Sequence, residues 1–231
     1  MHFSRNLHTM SQSCKHIPFS STQMFSKLIN DYVESKGTAL NFVQYAPNLE
    51  GYRAAIEGRK KHPINRSLLF DVLTKQYAKL PQENAVNNHI ALLNKENTFV
   101  VTTAHQPNLF TGPLYFFYKI IHAIQLAASL KTAFPEYNFV PVYYMGSEDA
   151  DLEEVGSFNL DLKNYQWATK QTGAIGRMQV DDNLLKLLQQ LESYWTILPH
   201  GQKALEILKA AYQKGNTISE ATLSFVHAFF G

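Results

Sequence analysis

Two short stretches hold most of the residues in this chain whose types could do chemistry. Thr103 to Gly112 contains Thr103, His105, Gln106, Asn108 and Thr111. Glu148 to Glu154 sets five carboxylates, Glu148, Asp149, Asp151, Glu153 and Glu154, within seven residues. A histidine just past a strand can donate to a phosphate oxygen or shuttle a proton near neutral pH. Around it, Thr103, Asn108 and Thr111, with the backbone N–H groups of a helix start, suit an anion such as a phosphate or carboxylate. Gly112 allows close backbone approach, and Lys119, about two turns into the helix, would lean back toward that end. The plainer reading is a strand-to-helix loop in which Asn108 or Thr111 only caps the helix. The carboxylates would hold a substrate ammonium, bind Mg²⁺ or supply a general base of raised pKa. Their plainer reading makes Asp149 or Asp151 an N-cap and Glu153 and Glu154 a favourable first turn. Arg177 would reach either an anion or a surface carboxylate. His122 reads as helix face, Cys14 sits outside the folded core, and no His/Cys cluster has zinc spacing, so no metal ligand set is assigned.

The elements that must position these groups follow from the apolar pattern. Thr98 to Thr103 is a strand-prone run, and a helical pattern runs from Pro113 to about Phe134. Pro113 would occupy its first position, where a missing N–H costs nothing. Leu114, Phe117, Ile121, Ile124 and Ala128 form one stripe; Phe116, Ile120, Ala123, Ala127, Leu130 and Phe134 form an adjacent one. Phe139 to Met145 is a second strand, although Pro141 would break a ladder on one side of it. Strand, helix and strand make a right-handed βαβ unit, and ligands in such sheets sit outside the carboxyl ends of the strands. The His105 turn and the Glu148 turn should therefore share one rim. Upstream, Ser20, Ser21 or Thr22 would cap a helix with the stripe Met24, Leu28 and Tyr32, and helices are expected over 49–61, 66–80 (capped by Asn65) and 84–94. Downstream, 158–162, 165–168 and 173–180 read as strands, the last from Gly173 to Val180, followed by helices over 183–195, 202–214 and from Ser219. The expected divisions are 1–15, a disordered extension; 16–95, a helical segment of the core; 96–154, the βαβ unit with the site; and 155–231, a connecting insertion with helices that leads to a missing C-terminal half.

Composition narrows the function. The apolar share is 45% but the charged share only 17%, against a usual quarter. A net charge of +2 gives no support to nucleic-acid binding or membrane steering. A single cysteine cannot form an internal disulfide and fits a reducing compartment. With no signal core and no transmembrane run, the expected location is cytoplasmic.

The ordered motifs Ile17-Pro18-Phe19-Ser20, Thr103-Ala104-His105-Gln106-Pro107-Asn108-Leu109-Phe110-Thr111-Gly112-Pro113-Leu114-Tyr115, Phe139 to Tyr143 with Glu148 to Glu154, and Gly173 to Met178 resemble the cysteine-adding enzymes of bacillithiol biosynthesis, the BshC family. The resemblance implies an α/β fold: an incomplete Rossmann-like parallel sheet with helices on both faces, an N-terminal helical segment and a small antiparallel insertion. It also implies a coiled-coil homodimer element in full-length members, and a reaction joining cysteine to the amine of glucosaminyl-malate. Activating a free carboxylate makes ATP a plausible co-substrate, though no Walker-type loop is present. In that reaction His105 and Gln106 would steady a phosphate or developing oxyanion, with Thr111 and Gly112 at the helix start. Asp149 and Asp151 would orient the amine or act as base, while Thr103, Asn108, Lys119, Glu148 and Arg177 would bind substrate or nucleotide. The chain departs from the family pattern at Ala104, where Gly is usual, and at Ala150, where His is usual. A second expectation is a truncated, non-catalytic homologue that binds nucleotide or a partner.

Overall fold

The computed structural model describes residues 15–110, 112–148 and 152–231. The expected disordered extension, save its last residue, and Cys14 lie outside the described residues, as do Thr111, Asp149, Ala150 and Asp151. The chain divides into two compact units, residues up to Pro63 and residues from Ile64 onward.

The first unit holds short helices α1 (Phe19–Thr22) and α2 (Lys27–Val33), a 3-10 segment (Gly37–Phe42) and α3 (Leu49–Lys60). The expected single helix capped near Ser20 is broken. Gln23 adopts a left-handed φ of 56° and Ser26, not Ser20, caps α2 by accepting from the Ile29 N–H. Met24 and Leu28 consequently stand exposed. Asn48 caps α3 through the Gly51 N–H.

The second unit begins with α4 (Arg66–Tyr77) and α5 (Asn84–Leu92). Asn65 caps α4 through the Leu68 N–H, as its position suggests. Arg66 then donates to the carbonyls of Leu93, Glu96 and Thr98, fixing the entry to β1 (Thr98–His105). The 20-residue helix α6 (Leu114–Ala133) returns the chain to β2 (Asn138–Met145), which pairs with β1 in parallel. Pro113 is the N-cap of α6 rather than its first helical residue: its ψ of 149° is extended, and the first turn begins only after it. The N–H groups of Asn138 and Gly146 donate to Asn97 and His105 of the β1 side. By the two-residue repeat, the even-numbered N–H groups of β2 face β1 and the nitrogen of Pro141 faces the other edge. The proline thus removes a donor where the β1–β2 ladder needs none. Of the two α6 stripes, the one running from Phe116 to Leu130 is buried, while Phe117 and Ile124 of the other are half-buried.

After α7 (Leu152–Val155), the hairpin β3 (Ser157–Leu160) and β4 (Lys163–Gln166) is antiparallel. Its two turn residues, Asp161 and Leu162, both have positive φ, the geometry that matches strand twist in a two-residue hairpin. The expected strand from Gly173 to Val180 does not form. Ile175–Arg177 is a 3-10 turn, and only Gln179 makes an isolated bridge, to Thr217. Ile175 and Val180 are both buried in the core, and the backbone pairs only past the turn, where Val180 N–H donates to the Asn216 carbonyl and Ile218 N–H to the Met178 carbonyl. Helices α8 (Asp182–Trp195), α9 (Gly201–Ala211) and α10 (Ile218–Phe230) complete the unit. One core joins Phe116 and Ile120 of α6 with Trp167, Ile175, Leu184, Leu208 and Phe225. Phe117 meets Phe225, Phe229 and Phe230 ring to ring. Among the described residues no helix is long and apolar enough to cross a membrane.

Candidate functional site

His105 ends β1, and its backbone is anchored twice. The carbonyl accepts the Gly146 N–H at 3.1 Å and the Tyr143 hydroxyl at 3.0 Å. The two turns therefore do leave the sheet on one rim, with His105 opposite Met145 in register. Burial pushes the Tyr143 phenol well above its usual range, which keeps it a neutral donor.

The turn after His105 folds inward: Pro107, Leu109 and Phe110 are buried. Phe110 has a left-handed φ of 54° and Gly112 one of 58°. Tyr212, at the end of α9 and 1% exposed, reaches across to pin this turn. Its hydroxyl accepts from the Phe110 N–H at 2.8 Å and donates to the Asn108 carbonyl at 3.0 Å. Burial drives its phenol up, more strongly than the Phe110 N–H draws it down.

Around the imidazole, Nδ1 lies 2.9 Å from the Gln106 carbonyl oxygen and 2.9 Å from the Asn108 amide nitrogen, and Nε2 lies 3.2 Å from the Tyr115 hydroxyl. Phe116 meets the ring edge-on. Lys119 leans back toward the helix start as expected, and its ammonium donates to the Ala104 carbonyl at 2.6 Å. Thr103 is half-buried opposite Tyr143.

Glu148 and Arg177 engage each other, Nε to Oε1 at 3.1 Å and Nη2 to Oε2 at 2.6 Å. A Cβ on Gly176 would stand 2.5 Å from the Ser147 carbonyl oxygen, so glycine is what lets the 3-10 turn approach the Glu148 turn. Glu153 and Glu154 fall in the first turn of α7, as their plainer reading has it. Among the described residues, no group of three His, Cys, Asp or Glu side chains could hold a metal ion.

The site thus gathers His105, Gln106, Asn108, Gly112 and Lys119, with Glu148 on the turn that follows β2 paired to Arg177 of the 3-10 turn. Sequence reading did not assign roles to Tyr115, Tyr143 and Tyr212. Tyr143 carries a weak signal, since it faces the α6 side near the end of β2. Tyr212 carries none, because over a hundred residues separate it from Asn108. Chemically, the arrangement offers an imidazole and a phenol at a sheet rim, beside the start of a helix with no acidic residue in its first turn.

The sequence comparisons agree with this architecture. The family model described as the N-terminal Rossmann-like domain of bacillithiol biosynthesis BshC matches residues 12–231. Proteins named "Putative cysteine ligase BshC" are similar to the chain: 35% identical over 218 residues in Flavobacterium psychrophilum and 38% over 222 residues in Christiangramia forsetii, each covering 93% of the chain and 41% of the relative. In Cytophaga hutchinsonii the figure is 36% over 220 residues, with 94% and 40% covered. The chain spans about two fifths of the length of the curated relatives it matches. It belongs to the BshC family, whose N-terminal Rossmann-like domain it carries.

Proposed function

We propose that this chain supplies the reaction centre of a cysteine ligase that joins cysteine to the amine of glucosaminyl-malate through an amide bond. The family supports a ligase of bacillithiol biosynthesis. The observation that carries the finer reading is the His105 carbonyl bonded to both Tyr143 and Gly146. It ties the end of β1 to the end of β2 at Gly146, which supports a substrate bridging the histidine turn and the carboxylates that follow β2. An amide forms from a carboxylate only after activation, for which a nucleoside triphosphate such as ATP is the apt co-substrate. His105 and Gln106 would face the reacting carboxyl, with Thr111 and Gly112 at the helix start, while Asp149 and Asp151 would orient the amine. Thr103, Asn108 and Lys119 would brace the turn, and Glu148 and Arg177 would bind substrate where their ion pair opens.

The test is single replacement of His105, Asp149 and Asp151 by Ala in a version carried to the length of the relatives, with cysteine addition assayed by product mass. Losses of about a hundredfold or more are expected; undiminished turnover in all three ends the proposal. The rival reading, a non-catalytic binder, draws support from the Glu148 carboxylate being already engaged by Arg177. Calorimetric binding of ATP or cysteine with no product would favour it.

A further inference from the structure

We infer that the Arg177 guanidinium binds a malyl carboxylate of the substrate, and that Glu148 keeps its place in the free chain. The identity of the ligand rests on the ligase reading; the exchange of one carboxylate for another at Arg177 does not.

Arg177 stands on a fixed base. Its neighbours Ile175, Gly176 and Met178 are buried. The N–H groups of Arg177 and Met178 close the 3-10 turn on the carbonyls of Ala174 and Ile175, each at 3.0 Å, and the Met178 carbonyl accepts the Ile218 N–H at 2.9 Å. A Cβ on Gly176 would stand 2.5 Å from both the Ser147 carbonyl oxygen and the Ser219 hydroxyl oxygen. The 3-10 turn is therefore pressed between the turn after β2 and the start of α10. From Ile175 to Met178, Arg177 alone is exposed. A rigid backbone thus carries one long cationic side chain to the surface.

Its fork already grips a carboxylate, one nitrogen to each oxygen: Nε lies 3.1 Å from Glu148 Oε1 and Nη2 lies 2.6 Å from Oε2. This is the bidentate geometry by which arginine recognises carboxylates in general. Side-chain exposure is 76% for Arg177 and 60% for Glu148, and exposed ion pairs contribute little to stability. An arriving carboxylate therefore takes the fork at small cost. Glu148 follows Gly146 by two residues, and the Gly146 N–H donates to the His105 carbonyl, so the exchange happens close to the end of β1.

The chemistry of the two substrates selects the ligand. The cysteine carboxyl is activated and becomes the amide carbonyl, losing its charge on the way. A guanidinium gripping it would favour the ground state over the transition state. The malyl part carries two carboxylates that pass through the reaction unchanged. Binding one of them lowers KM and leaves the chemical step alone.

Calorimetric titration of the chain with L-malate at constant ionic strength tests the exchange. Glu148→Gln, which vacates the fork, should tighten malate binding several-fold. Arg177→Gln should weaken it about tenfold or more, and Arg177→Lys, which keeps the charge without the fork, should restore only part of the loss. Equal affinities in the parent, Glu148→Gln and Arg177→Gln chains, or no binding by any of them, overturn the proposal. So does weaker binding by Glu148→Gln. At full family length, Arg177→Gln should raise the KM for glucosaminyl-malate about tenfold, leaving kcat and the KM for cysteine unchanged. The expected order of malate affinities without cysteine addition by the parent enzyme would leave the carboxylate site standing and defeat the ligase reading. Cysteine addition with a KM for glucosaminyl-malate that Arg177→Gln does not move would do the reverse.

Discussion

Single atoms decide the shape of the His105 turn. At Gly112 a positive φ and the nearby Asn108 side chain exclude any Cβ. Gly112→Ala should therefore cost roughly 1–3 kcal/mol in urea unfolding and displace the Asn108 amide from the imidazole. Tyr212→Phe leaves the Phe110 N–H, which lies in a buried turn, without an acceptor. A loss of about 1–3 kcal/mol is expected from that one oxygen, read as a lower urea midpoint at constant slope. These contacts explain why the sequence disclosed some residues and concealed others. His105, Asn108 and Gly112 lie close together in the chain, and their types announce a strand-to-helix turn. The tyrosine that holds the turn arrives from α9, where nothing in its neighbourhood differs from an ordinary helix end.

Among the elements, α8 offers the sharpest test. Asp181 caps it by accepting from the Leu184 N–H and also accepts from the Trp167 indole, each at 2.9 Å. Burial alone would raise this carboxyl, but these two donors, with the Thr169 hydroxyl and the Asn183 N–H, outweigh it and hold the group below the usual carboxylate range. Its stabilisation is thus present above about pH 4, the unfolded value, and is lost as pH falls through the lower folded value. Asp181→Ala should cost about 1–2 kcal/mol and alter Trp167 fluorescence. Asp181→Asn should keep much of the cap while flattening the acid limb of the stability profile. The βαβ unit was legible because α6 repeats its apolar residues over five turns, with Gly112-Pro113 before it and Pro135 after it. The stretch from Gly173 to Val180 was not, since a short apolar run reads alike as a strand or as isolated core knobs. Only the packing partners of Ile175 and Val180 separate the two.

For the molecule as a whole, the buried phenols set the alkaline limit. Tyr143 and Tyr212 are held neutral by burial in the folded state, whereas in the unfolded chain they ionise near pH 10. The unfolded state then binds fewer protons, so stability falls as pH rises above about 10, by up to roughly 1.4 kcal/mol per pH unit for each tyrosine. Tyr143→Phe and Tyr212→Phe should each remove one proton from that slope, measured by urea titration from pH 9 to about 11. The small net charge gives no comparable lever. The anchoring of His105 has a practical outcome of its own. Its backbone is held through the carbonyl, by Gly146 and Tyr143, so exchanging the imidazole leaves these two bonds in place while releasing Tyr115 and the Asn108 amide. A chain altered only at this side chain should keep the paired strand ends in place, which makes it a fit bait for asking which small molecules of a cell extract the rim retains.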